Sequence, residues 1–162
     1  MIATDFAYYR PDSLAQVPAA LERAASKPFC FYAGGSEVIT MACAGSIAPA
    51  AVIDIKAIPE CRRLAREGET LLLGAAVTLS EVAQSGLFPL MGNTVSRIAD
   101  HTNQCRITLG GNVCGTIRYR EAVLPLLLAD ATVCLLKRGE MREVPLAQAF
   151  DGRMHILGKM LE

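Results

Sequence analysis

The chain has 162 residues, 52% of them hydrophobic and 20% charged, with 16 basic side chains against 16 acidic ones and a formal net charge of zero. That length holds one domain, or two small lobes sharing a core. Zero net charge excludes a general nucleic-acid binder, which needs a basic face, and no apolar run approaches the roughly 20 residues of a membrane span.

The first residues, MIATDFAYYRPDS, lack a basic stretch followed by an apolar one, so no signal peptide is read and a cytoplasmic protein is expected. Phe6, Tyr8 and Tyr9 are expected to pin this extended start to the body. Asp12 or Ser13 then caps a helix on which Leu14, Val17, Leu21 and Ala24 or Ala25 recur at helical spacing, closed by Pro28. Residues 29–33 (FCFYA) read as a short buried strand ending at Gly34-Gly35. Ser36 is expected to cap a second helix over 36–44, and residues 51–55 (AVIDI) read as another buried strand. Strand, glycine turn, helix, strand is a βαβ unit, which makes the two strands parallel. Its glycine turn lies at a helix N-terminus, where free N–H groups and the helix dipole favour an anion.

Further on, residues 61–67 and 70–74 read as a hairpin with a charged tip at 67–69. Thr78 or Ser80 caps a helix through LSEVAQSG. A longer helix follows Pro89 and runs to about Asp100, with Leu90, Val95, Ile98 and Ala99 on one side. Residues 101–107 (HTNQCRI) are polar and predicted irregular, and they lead into Thr108-Leu109-Gly110-Gly111-Asn112. A short buried helix over 122–129 tolerates Pro125 only in its first turn. A strand over 131–136, a tip at 138–140, a return strand over 141–144, a helical turn over 146–150 and a strand-like ending complete the chain.

Two glycine-rich stretches carry the chemistry: Ala33, Gly34, Gly35, Ser36 and Glu37 in the first, and Thr108, Gly110, Gly111 and Asn112 in the second. Adjacent glycines let a ligand approach main-chain N–H groups, and a flanking hydroxyl or amide adds a polar contact, so each loop suits a pyrophosphate or a plain tight turn. Neither matches G-x-x-x-x-G-K-[ST] or G-x-G-x-x-G. Glu121 reads as a ribose-hydroxyl acceptor or a helix cap. Arg106, Arg118 and Arg120 read as phosphate-screening or solvated cations, His101 as a ligand contact or a loop residue, and His155 as structural. The six cysteines, Cys30, Cys43, Cys61, Cys105, Cys114 and Cys134, contain no C-x-x-C pair; those in apolar runs, such as Cys30 and Cys134, read as small buried hydrophobes, and neither a metal site nor a disulfide is expected. No acid–base or nucleophilic constellation emerges from the spacing, so no catalytic residue is assigned.

In their order, the segments F-A-Y-Y-R-P-D-S-L near the start, A-G-G-S-E-V at 33–38, V-I-D-I-K-A-I-P-E at 52–60, L-G-A-A-V-T-L-S-E-V at 73–82, T-L-G-G-N-V-C at 108–114 and A-D-A-T-V at 129–133 span nearly the whole chain. Together they resemble the FAD-binding (medium, flavoprotein) subunit of the molybdenum hydroxylase family, of the xanthine dehydrogenase and carbon monoxide dehydrogenase type. The resemblance implies an α+β, two-lobed FAD-binding domain of the vanillyl-alcohol-oxidase or PCMH type. A small βαβ lobe over 1–56 carries the first glycine loop, and a larger mixed-sheet lobe with helices over 57–162 carries the second. It implies FAD between the lobes, its pyrophosphate held by Ala33, Gly34, Gly35, Ser36 and Glu37 and by Thr108, Gly110, Gly111 and Asn112. Glu121 stands where the family has an aspartate that contacts FAD. The implied partners are a molybdenum-cofactor subunit and a [2Fe-2S] subunit, with electrons passed on to NAD or another acceptor.

Three segments depart from the family pattern. H-T-N-Q-C-R replaces a P-Q-I-R-like segment, and G-T-I-R-Y-R-E replaces a small Ser/Pro-rich stretch. Family subunits also continue into a further C-terminal domain, so the chain is expected to be a short form or a truncated one. The expected function is that of an electron-transfer flavoprotein subunit. The alternative is a non-catalytic interaction module of the same fold that binds FAD weakly or not at all, and a self-contained flavin oxidoreductase of the same fold ranks third.

Overall fold

Three short parallel strands open the computed structural model, which describes residues 4–116, 118–137 and 139–150. They are β1 (Ala7–Tyr9), β2 (Phe29–Tyr32) and β3 (Ala51–Asp54), in the sheet order β1-β3-β2. α1 (Val17–Ala24) carries the chain from β1 to β2, and α2 (Ser36–Cys43) carries it from β2 to β3. In register, Phe31 and Tyr9 flank Ile53 on its two sides, and Tyr32 pairs with Asp54. The predicted βαβ unit is therefore present and parallel. Of the aromatic start, Tyr9 packs on the core while Phe6 and Tyr8 are exposed, and Ala7–Tyr9 is a third strand, too short for the sequence pattern to show.

All four residues of β3 are buried, as a central parallel strand requires. Ala20 and Ala24 of α1 pack with Ala51 and Ile53, and Phe29 and Phe31 close the cluster. The small side chains let the helix lie close to the sheet.

A second, larger core follows. A 3-10 turn over Pro59–Arg62 occupies the start of the predicted hairpin strand, because Pro59 favours a helical first turn. The strand proper is β4 (Leu64–Glu67), paired antiparallel with β5 (Thr70–Leu73) across the expected charged tip. α3 (Leu79–Ser85) starts on Thr78 as predicted: Thr78 Oγ1 accepts from the Glu81 N–H, and the Glu81 carboxylate accepts from the Thr78 N–H at 2.8 Å. α4 (Pro89–Val95) stops short of the predicted Asp100, with Ala99 in the left-handed region at φ 54°. Residues 101–107 are more ordered than expected. Asp100 accepts from the Asn103 N–H at 2.8 Å and caps the single turn α5 (His101–Gln104).

α6 (Leu109–Cys114) and α7 (Val123–Leu128) follow, the latter with Pro125 in its first turn as the sequence requires. β6 (Thr132–Lys137) and β7 (Glu140–Pro145) form a second antiparallel ladder, closed by the turn α8 (Leu146–Ala149). Strands and helices thus mix in the larger lobe. Val77, Leu79, Val82, Met91, Val95, Leu109, Val113 and Val123 form its core. Fully buried side chains of this size, such as Leu79 and Met91, each contribute about 1.5–3 kcal/mol. The strand-like ending and His155 lie outside the described residues. Among the described residues no helix is long and apolar enough to cross a membrane.

Candidate functional site

The two glycine motifs, which start 75 positions apart in sequence, meet in space. A Cβ built on Gly34 would lie 1.7 Å from the Arg106 carbonyl oxygen and 3.3 Å from the Thr108 nitrogen. Only a glycine lets the backbone before α2 touch the backbone before α6 in this way. Glu37 adds a second tie. Its Oε1 accepts from the Thr116 N–H at 2.8 Å and from the Thr116 hydroxyl. Glu37 is thus spent in part on joining α2 to the segment after α6.

The motifs differ in what they leave open. Gly35, not Ser36, is the N-cap residue of α2. It sits at φ 75°, a conformation that glycine adopts without strain, and a Cβ there would also strike the Tyr32 ring. Ser36 instead opens the helix, and its carbonyl accepts from Thr40 Oγ1. With no side-chain cap on α2, the N–H groups of Gly34, Gly35, Ser36, Glu37 and Val38 have no acceptor among the described residues; the first helical bond runs from Ile39 to Gly35. Five consecutive N–H groups at the positive end of a helix dipole form a cradle for an anion.

Thr108-Leu109-Gly110-Gly111-Asn112 is not an open loop but the start of α6. Thr108, buried, is its N-cap and accepts from the Gly111 N–H at 3.2 Å. Leu109 N–H bonds to Val77 at 2.8 Å, Gly110 N–H to Ala75 at 2.9 Å, and Asn112 N–H to Thr108 at 2.8 Å. The four N–H groups from Leu109 to Asn112 all have protein partners. Gly110 is needed for packing, since a Cβ there would come 2.7 Å from the Ala75 Cβ. The N–H cradle expected of both motifs is therefore open in the first and closed in the second.

Asn112, 3% exposed, is a clamp. Its Oδ1 accepts from the Ala122 N–H at 3.1 Å, and its Nδ2 donates to Glu121 Oε2 at 3.4 Å. Glu121 lies beside an open recess of about 470 Å³ that Asn93, Thr94, Arg97, Ile98 and Leu124 also line. Arg120 Nε donates to the Gly115 carbonyl at 2.7 Å, and its guanidinium stands over the Phe150 ring. Arg118 and Arg106 are exposed, and Arg106 contributes its carbonyl to the Gly34 contact. His101 is exposed on α5, its Nε2 3.6 Å from Cys105 Sγ.

The residue that the sequence reading passed over is Lys56. Its ammonium donates to the Ala33 carbonyl at 3.1 Å and to Asp54 Oδ2 at 2.7 Å, and it lies 4.3 Å from the Tyr32 ring centroid. Tyr8 Oη donates to the same Asp54 oxygen at 2.6 Å. Burial opposes the charge on Asp54, but the hydrogen bonds from Lys56 and Tyr8 outweigh it and hold its carboxyl below the usual carboxylate range. The bond to Asp54, with burial, raises the Tyr8 phenol. The available signal was a charged pair, Asp54 and Lys56, closing an otherwise apolar strand.

The family model described as the FAD binding domain in molybdopterin dehydrogenase matches residues 4–159. The chain is 32% identical over 160 residues to the caffeine dehydrogenase subunit beta of Pseudomonas sp. (strain CBB1), a match covering 95% of this chain and 54% of the relative. It is 31% identical over 117 residues to the carbon monoxide dehydrogenase medium chain of Hydrogenophaga pseudoflava, covering 70% and 40%. The solved carbon monoxide dehydrogenase of Hydrogenophaga pseudoflava that lacks the Mo-pyranopterin moiety superposes with a TM-score of 0.84 at 28% identity, over 93% of this chain and 53% of that one. Quinoline 2-oxidoreductase of Pseudomonas putida 86 gives the same TM-score at 20% identity, over 93% and 54%, and supports the fold alone. The chain spans about half the length of the curated relatives it matches. It belongs to the family of FAD-binding domains of molybdopterin dehydrogenases, and FAD is its cofactor.

Proposed function

We propose that the chain acts as the FAD-carrying electron-transfer part of a multi-subunit molybdenum hydroxylase of xanthine dehydrogenase type, with the FAD pyrophosphate seated at the start of α2. The observation that carries this reading is the run of N–H groups from Gly34 to Val38 with no acceptor among the described residues. A pyrophosphate needs several oriented donors, and this backbone offers them without a full positive charge. Ala33, Gly34, Gly35, Ser36 and Glu37 form the contact stretch. Thr108, beside Gly34, with Gly110, Gly111 and Asn112 forms the second contact stretch, and Glu121, steered by Asn112, serves the ribose or ribityl hydroxyls. FAD, when bound, supplies the redox centre.

Under this reading residues 1–56 and 57–162 are the two lobes of one domain, and the protein works in the cytoplasm. Its partners are a molybdenum-cofactor subunit and a [2Fe-2S] subunit, and its electrons leave to NAD or another acceptor. Support comes from the relatives, which are named as subunits or chains of dehydrogenases. The absence of an acid–base constellation in the sequence agrees with a subunit that moves electrons and leaves substrate chemistry to a partner.

One observation favours a second reading, an interaction module that holds FAD weakly: the N–H groups of Leu109 to Asn112 are already bonded within the protein. The visible absorbance of the purified chain, before and after adding FAD and removing the excess, separates the two. The leading reading predicts a flavin spectrum at about one FAD per chain. A colourless protein that takes up no FAD contradicts it.

A further inference from the structure

We infer that Lys56 is a positioning residue for the FAD pyrophosphate, acting through the Ala33–Gly34 peptide. The inference rests on the FAD reading above and adds a residue to it. In a trans peptide the C=O and the following N–H point in opposite directions. Lys56 Nζ holds the Ala33 carbonyl at 3.1 Å, so the Gly34 N–H is turned the other way, as the first of the five open donors. Without that bond the Ala33–Gly34 peptide can rotate, because Gly34 lacks a Cβ and Gly35 is already in the left-handed region. A rotated peptide would point a carbonyl dipole at the phosphate.

Lys56 is itself held in place. Asp54 Oδ2 fixes its ammonium at 2.7 Å, Tyr8 Oη donates to that same oxygen, and the Tyr32 ring lies under the charge. Asp54 is 3% exposed and ends the central strand, so the device is built on the rigid part of the sheet. Because Asp54 offsets the ammonium charge, the contribution of Lys56 is orientation of a neutral donor and not attraction of the ligand at a distance.

The test is FAD affinity of the 162-residue chain, read by flavin fluorescence, for Lys56→Met, Lys56→Arg and Tyr8→Phe, with circular dichroism to check folding. Lys56→Met removes the donor and is expected to weaken FAD binding about tenfold, the effect of one well-placed hydrogen bond. Lys56→Arg keeps a donor and restores most of the affinity. Tyr8→Phe loosens Asp54, which fixes the ammonium, and is expected to weaken FAD binding by less than Lys56→Met does. Amide exchange at Gly34 in the absence of ligand rises most in Lys56→Met, less in Tyr8→Phe, and returns toward the parent in Lys56→Arg. A folded Lys56→Met chain that binds FAD as tightly as the parent overturns the inference alone. A parent chain that binds no FAD overturns the FAD reading and the inference with it.

Discussion

Gly34 and Arg106 touch backbone to backbone: a Cβ on Gly34 would fall 1.7 Å from the Arg106 carbonyl oxygen and 2.8 Å from its carbon. No side-chain adjustment relieves such a contact. Gly34→Ala is therefore expected to separate the two motifs, lowering stability by about 1–3 kcal/mol, the range for overpacking. FAD affinity should fall as well. Urea denaturation and FAD titration of the same variant check both, and a Gly34→Ala chain with unchanged midpoint and affinity would contradict the contact.

Glu37 bridges α2 to Thr116 across 79 positions of sequence. Glu37→Ala removes the acceptor of two hydrogen bonds, and a loss of about 1 kcal/mol is expected after allowance for the exposure of Thr116. Glu37→Gln retains an amide oxygen and should recover much of that loss. Equal urea midpoints for the parent and the alanine variant would remove Glu37 as an interlobe tie.

Thr78 opens α3 with a reciprocal cap and forms an isolated antiparallel bridge with Thr108. Burial opposes the charge on Glu81, but the Thr78 N–H and hydroxyl and the Arg62 guanidinium outweigh it and hold its carboxyl below the usual range. Thr78→Ala should cost about 1 kcal/mol, as N-cap replacements do. The thermal midpoint reads this directly; a shift within error would show that the cap is redundant.

The depressed carboxyls of Asp54 and Glu81 set the acid limb of the stability curve. A group whose folded pKa is below its unfolded value stabilises fully above the unfolded value, about 3.9 for Asp and 4.3 for Glu. That stabilisation is lost as pH falls through the folded value. Stability should thus hold down to roughly pH 5 and decline below it. Asp54→Asn should flatten part of that decline. An identical acid limb in the variant would mean that Asp54 does not contribute.

Thiol reactivity tests the burial pattern. Burial pushes the Cys114 thiol up to about 11, whereas Cys105, the C-cap residue of α5, is exposed. Alkylation with iodoacetamide near pH 8 should label Cys105 well before Cys114, as mass spectrometry of digests can follow. Early labelling of Cys114 would contradict the packing of α6.

Much of this arrangement was legible in the sequence because periodicity and punctuation agree locally. The βαβ unit, the 67–69 hairpin tip, the Thr78 cap and Pro125 in a first turn all follow from short-range rules. The misses are positions where tertiary contacts decide. Ala7–Tyr9 is a strand only because β3 offers it an edge. Gly35 displaces Ser36 as N-cap because the chain must turn at φ 75° over the Tyr32 ring. The second glycine stretch looks open in sequence, yet Ala75 and Val77, more than 30 positions away, accept from its N–H groups. Asp100 before Asn103 was a cap signal for α5 that polar composition concealed. Lys56 escaped because its partner is the backbone of Ala33, which no side-chain pattern announces.

The central claim is that the N–H groups from Gly34 to Val38 receive the FAD pyrophosphate. Hydrogen–deuterium exchange of the chain with and without FAD, resolved to single amides, tests it most directly. The account predicts slower exchange at Gly34 to Val38 on adding FAD, with little change at Leu109 to Asn112, whose N–H groups are already bonded. Unchanged exchange at Gly34 to Val38 in a chain shown to hold FAD would contradict it.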